Sequence, residues 1–62
     1  MKKLIEINDL LRGKVSTNLN FEYAELTIWS RDMGLFKVIS DIAHAHGCVV
    51  NVGIGQIVIK EL

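Results

Sequence analysis

The 62-residue sequence predicts a small α+β domain. We expect a two-layer sandwich in which a three- or four-stranded sheet carries one main helix, over about residues 32–46, and ends in a C-terminal β-hairpin. Three observations predict this fold: an apolar stripe with helical spacing, an alternating stretch before it, and two β-branched runs separated by glycines after it. The length allows a single domain, residues 1–62.

The first twenty residues leave two alternatives open. LIEI, residues 4–7, can form a strand, whereas LIEINDLLRG, residues 4–13, can equally form a short helix that stops at Gly13. Residues 15–20 are polar and predict a loop.

FEYAELTIWS, residues 21–30, alternates between two faces as a strand does. Side chains two residues apart share a face of a strand. The face predicted to meet the helix holds Ala24, Leu26 and Ile28, and the opposite face holds Tyr23, Glu25, Thr27 and Trp29.

The main helix is predicted from residues spaced three and four apart. Ser30 or Asp32 can accept the free N–H groups at its start, and Gly47 suits the left-handed residue that commonly ends a helix. The apolar stripe consists of Leu35, Val38, Ile39, Ile42, Ala43 and His46, and the polar face of Lys37, Ser40, Asp41 and His44.

A hairpin is predicted after the helix. Val49–Val52 and Gln56–Ile59 are rich in β-branched residues, and Gly53-Ile54-Gly55 between them provides a turn. No helix follows these glycines, so they do not form a dinucleotide-binding loop.

His44, His46 and Cys48 form the densest group of metal-ligating residue types. On a helix, residues two apart point about 200° away from each other, so the two histidines cannot share a ligand face. His46 and Cys48 alone supply too few ligands for zinc. We therefore expect no metal and no cofactor, with His46 at the helix end and Cys48 as a small apolar residue starting a strand.

Ser40, Asp41 and His44 can touch one another on the helix surface, at spacings of three and four residues. A catalytic triad also needs a pocket and an oxyanion hole, and an exposed helix face offers neither. The sequence predicts that the protein is not an enzyme.

Charge and hydropathy argue against two further classes of protein, those that bind nucleic acid and those that span a membrane. Seven basic and seven acidic side chains balance, which argues against nucleic acid as a partner. No run approaches the roughly 18 apolar residues of a membrane helix, and a single cysteine favours a reducing compartment. We expect a cytoplasmic protein.

An aromatic strand face needs a cover, because one 15-residue helix cannot shield both sides of a sheet. Either residues 4–11 pack over Trp29, or another chain does, with Tyr23, Thr27 and Trp29 as the candidate interface. We expect a homodimer at micromolar concentration, formed through this face or through a terminal edge strand.

From Leu26 onward, LTIWSRDMGLFKVISDIAHAHGCVV and GQIVIKEL resemble the TusA/SirA family of small sulfur-carrier proteins. Asp32, Gly34, Ile39 and Gly47 sit at the family's spacing. The resemblance covers about residues 26–62 and implies a two-layer α+β fold. The family's Cys-Pro motif is absent, and Cys48 occupies a different place from its persulfide-carrying cysteine.

The leading hypothesis is therefore a small protein-binding or regulatory module that acts by docking on protein, itself included. Two alternatives stay open. One is a sulfur-relay protein or a degenerate relative, as the resemblance implies. The other is a nucleic-acid-binding module that uses the sheet face.

Overall fold

The computed structural model describes all 62 residues as two helices and one four-stranded antiparallel sheet, in which the fourth strand of the chain lies between the second and the third. The predicted α+β domain and its C-terminal hairpin are confirmed, with four strands and a second helix at the N-terminus. In chain order the elements are α1 (Lys2–Leu11), β1 (Ser16–Asn20), β2 (Glu25–Trp29), α2 (Met33–Ala45), β3 (Cys48–Gly53) and β4 (Gln56–Glu61).

Both helices pack against the same face of the sheet. Leu26 and Ile28 of β2 lie opposite Ile59 and Ile57 of β4, and all four side chains are fully buried. Burying an aliphatic side chain contributes about 1.5–3 kcal/mol, so this one-sided core provides the main hydrophobic stabilisation. The helices add Leu4, Ile7 and Leu11 from α1, and Phe36, Ile39 and Ala43 from α2.

The N-terminal segment forms a helix, which was one of the two alternatives predicted for it. The helix ends at Leu11, before Gly13, as that alternative required. No side chain within α1 caps its start. Glu61, in the last position of β4, takes that role: its Oε1 accepts hydrogen bonds from the N–H groups of Lys3 at 2.8 Å and Leu4 at 3.4 Å. A carboxylate is favoured there because the amino end of a helix carries partial positive charge.

The prediction of a loop over residues 15–20 was wrong, because residues 16–20 form the edge strand β1. This segment lacks the β-branched alternation that marks a strand. It is extended because the free edge of β2 supplies backbone partners along its whole length. Thr17 also donates a hydrogen bond to Asn8 of α1 at 2.7 Å, which ties the strand to the helix layer.

The strand predicted over residues 21–30 is shorter than expected. Residues 21–24 form the turn between β1 and β2, in which the Asn20 side chain accepts a hydrogen bond from the Tyr23 N–H at 3.1 Å. Ala24 adopts a left-handed conformation, with φ of 51°. Tyr23 therefore lies in a turn and not on the strand.

Helix α2 matches its prediction in position but is rotated relative to the predicted stripe. Asp32 caps it by accepting hydrogen bonds from the N–H groups of Gly34 and Leu35, at 3.0 and 3.3 Å. Phe36, outside the predicted stripe, is buried, whereas Val38, inside it, is 54% exposed. The buried face of α2 is centred on residues 36, 39 and 43. The side chain of residue 38 points about 130° away from the centre of that face.

The hairpin of β3 and β4 forms as predicted around a two-residue loop, Ile54-Gly55. Gly55 has φ of +70°, a conformation that glycine adopts at no steric cost. The loop carbonyl of Gly55 accepts a hydrogen bond from the Ser30 N–H at 3.2 Å, so the hairpin is anchored to the end of β2.

Candidate protein-interaction surface

The sheet face opposite the helices is uncovered. Its side chains alternate with the buried ones along each strand, and the pairing of the strands aligns them in rows across the sheet. We call this surface the open face. It consists of Ser16, Asn18 and Asn20 from β1, Glu25, Thr27 and Trp29 from β2, Gln56, Val58 and Lys60 from β4, and Val49 and Asn51 from β3.

Trp29 is the largest side chain of the open face and is 44% exposed. It ends β2, between Ser16 on β1 and Gln56 on β4. The alternative in which residues 4–11 cover Trp29 is wrong, because α1 packs with Ile28 on the other side of the sheet. An indole ring thus lies on a surface that this chain itself leaves uncovered.

Thr27 occupies the middle of the open face, half-buried beside Val58 of β4. The structure therefore brings together Thr27 and Trp29, two of the three candidate interface residues. Tyr23 is separate from them, since it is 66% exposed in the β1–β2 turn, which also holds the exposed Phe21. Trp29 therefore lies on a strand of the open face, whereas Tyr23 lies in a turn outside it.

Glu25 and Lys60 form an ion pair across β2 and β4, with 3.3 Å between Oε1 and Nζ. They are the charged residues of the open face, and both lie in the row at the end opposite Trp29. Exposed ion pairs contribute about 0–1 kcal/mol to stability. The pair therefore matters more for the charge pattern of this face than for folding.

Sequence reasoning missed the contribution of β4 to this surface. Gln56, Val58 and Lys60 alternate with the buried Ile57 and Ile59. This period of two was present in the sequence and could have placed the three residues opposite the core.

His44, His46 and Cys48 lie in three different environments. His44 is exposed on α2. His46 has its Nδ1 2.8 Å from the Ile42 carbonyl oxygen and its Nε2 3.8 Å from Oε2 of Glu6 in α1. Cys48 is buried, and burial raises the pKa of its thiol, with a further upward contribution from the nearby Glu61 carboxylate.

No three or more His, Cys, Asp or Glu side chains come together in an arrangement that could hold a metal ion. Ser40, Asp41 and His44 lie along α2, where Asp41 and His44 are exposed to solvent, and the protein surface has no pocket. Neither helix has the length and apolar character that crossing a membrane requires.

Comparison of the chain with family models, with curated proteins and with solved structures finds no match.

Proposed function

We propose that this protein is a non-enzymatic protein-binding module of the cytoplasm that docks on its partner through the open face. The observation that carries the proposal is Trp29, an indole 44% exposed on a sheet face with no helix over it. Tryptophan is among the residues on which interfaces concentrate their binding energy, because its large ring gains much from losing water.

The distribution of side chains on the open face supports protein docking. Thr27 and Val58 form a half-buried centre, and Trp29 adds aromatic surface beside them. Amide and hydroxyl side chains of β1 line one side of this centre, and Asn51 of β3 lies on the other side. Protein interfaces commonly have this arrangement of an apolar centre within a polar rim.

The two alternative functions receive less support from the same geometry. A sulfur relay needs an accessible thiolate, whereas Cys48 is buried and the pKa of its thiol is raised by that burial. Nucleic-acid binding needs cations along the sheet, whereas the one cation of the open face, Lys60, is paired with Glu25.

Affinity capture from the native host with two matched variants tests the proposal. Trp29→Arg places a cation on the open face, and Tyr23→Arg places one on an exposed aromatic position in the β1–β2 turn. We expect a protein that is retained by the wild type and by Tyr23→Arg, and lost with Trp29→Arg. Circular dichroism establishes that both variants fold. Equal retention by both variants would show that the open face is not the docking surface.

A further inference from the structure

We propose that the occupant of the open face is a second copy of this chain. Two open faces pack against each other about a two-fold axis that runs parallel to the strands, midway between β2 and β4. This inference rests on the docking function proposed above and specifies its partner and geometry.

The charges of the open face carry the inference. Glu25 and Lys60 lie in one row, on the two central strands, on opposite sides of the sheet midline. Rotation about the proposed axis places β2 of one copy over β4 of the other. Glu25 then faces Lys60 of the partner subunit, and the symmetry creates the same opposite-charge contact a second time.

A two-fold axis perpendicular to the strands lacks this complementarity. It would superimpose the row of Glu25 and Lys60 on the row of Trp29 and Gln56. The charged rows of the two copies would then lie at opposite ends of the interface, with no contact between them. The position of the ion pair therefore selects the axis parallel to the strands.

The remaining rows fit the same arrangement. Thr27 meets Val58 of the partner subunit at the centre, and Trp29 meets Gln56 of the partner subunit at one end. Sheets that pack face to face lie about 10 Å apart and are rotated by about 30°, and an indole is long enough to span much of that gap. Because the rotation displaces each position in proportion to its distance from the centre of the face, the contacts of Thr27 with Val58 of the partner subunit are preserved best.

The area of the open face suits a dimer. The molecule measures 26 × 19 × 19 Å and exposes 4100 Å² to solvent. One broad side of such a body accounts for about a fifth of its surface, or roughly 800 Å², and a standard interface buries about 800 Å² on each partner.

Pairing of two β3 edge strands is the competing dimer, and the position of α2 disfavours it. Helix α2 packs chiefly against β3, and the approach of His46 to Glu6 shows which side of α2 faces α1. The opposite side carries Lys37, Ser40 and His44, with Met33 at the first position of the helix. Joining two β3 edges would bring these largely polar sides toward each other.

Two single charge reversals test the arrangement. Glu25→Lys gives a chain with two cations in the charged row, and Lys60→Glu gives a chain with two anions there. In the proposed dimer each variant alone places like charges opposite each other, so we expect self-association to weaken about tenfold or more. In a mixture of the two variants every facing pair is opposite in charge, so the heterodimer forms.

Restored intrachain pairing cannot explain this result, because each variant carries like charges within its own row. Sedimentation equilibrium and native mass spectrometry of each variant, of the equimolar mixture and of the wild type provide the readout. If the wild type dimerises and each single variant associates as strongly as the wild type, the proposed arrangement would be overturned. It would also be overturned if the equimolar mixture of the two variants does not associate.

A wild type that remains monomeric at several hundred micromolar would overturn the second copy as occupant, and the Trp29→Arg capture experiment would then decide the docking function separately. If a variant fails to fold, the oligomeric state of the wild type alone still tests whether a second copy occupies the open face. On dilution, amide NMR signals of β2 and β4 are expected to shift, whereas shifts confined to β3 and α2 would contradict the proposal.

Discussion

The two faces of the sheet use the same strands for different tasks. On the face that the helices cover, here called the covered face, β2 contributes Leu26 and Ile28, both fully buried. On the open face, the alternating positions of the same strand hold Thr27 and Trp29, half-buried and 44% exposed. Neighbouring residues thus differ in role only because successive side chains of a strand point to opposite sides.

Stability and recognition are therefore separable in so small a chain. Aliphatic burial on one side holds the fold together, and the other side is free to carry aromatic and polar side chains. Substitutions at adjacent positions should therefore have effects of very different size.

The largest contrast is expected on α2. Ile39→Asp should unfold the protein, because it places an unpaired carboxylate among fully buried side chains. Its sequence neighbour Val38 is 54% exposed, so Val38→Asp should change the free energy of unfolding by less than about 0.5 kcal/mol. Circular dichroism and urea unfolding of the two variants measure the contrast. Comparable damage from both substitutions would mean that α2 packs with a different face.

A smaller contrast is expected between adjacent residues of β2. Ile28→Ala removes a fully buried side chain and should cost about 2–5 kcal/mol. Thr27→Ala, on the open face, should cost less than about 1 kcal/mol. Both free energies come from denaturant midpoints at a protein concentration low enough to keep the chain monomeric. If Thr27→Ala cost as much as Ile28→Ala under those conditions, the open face would have to contribute to the core of the single chain.

The smallest effect concerns the attachment of α1 to the covered face, and it depends on pH. The hydrogen bond from the Met1 amino group, the largest cause, lowers the pKa of Glu61, and the backbone N–H of Lys3 lowers it further. A carboxyl whose folded-state pKa is below its unfolded value contributes stability above the unfolded pKa, about 4.3 for glutamate. This contribution is lost as the pH falls through the folded-state pKa.

Glu61→Gln should therefore be less stable than the wild type at pH 6, and the difference should shrink below about pH 4. Urea midpoints of the two proteins between pH 6 and pH 3 measure it, and the subtraction removes the titration of the other carboxyls. A difference that stays constant over this range would show that the charge of Glu61 does not hold α1.

Elements with a strong local pattern were predictable from the sequence. Helix α2 and the hairpin of β3 and β4 have clear periods, a capping residue and glycines where the chain turns. Strand β1 was missed because Ser16–Asn20 becomes a strand only through its pairing with β2, which is a tertiary contact. Val38 was misplaced because the rotation of a helix depends on the surface beneath it, here chiefly β3.

The candidate surface was predictable in part for similar reasons. Alternation alone put Thr27 and Trp29 on one face. It could not show that α1 would pack beside α2 and leave that face uncovered, because the side of the sheet chosen by α1 depends on long-range contacts such as Glu61 with Lys3. Tyr23 was included because the alternation extends into residues that the Asn20 side chain draws into a turn.

The position of β4 also determines the order in which the protein can fold. β4 follows every other element in the chain, yet it lies between β2 and β3 in the sheet. Until β4 pairs, the edge of β2 that faces it has no hydrogen-bonding partner. β3 is then also not joined to β1 and β2. Such long-range pairing slows folding, because distant segments must meet before any contact stabilises them. Nascent chains that end before Gln56 would thus expose an unpaired, apolar strand edge, the kind of surface on which chains aggregate.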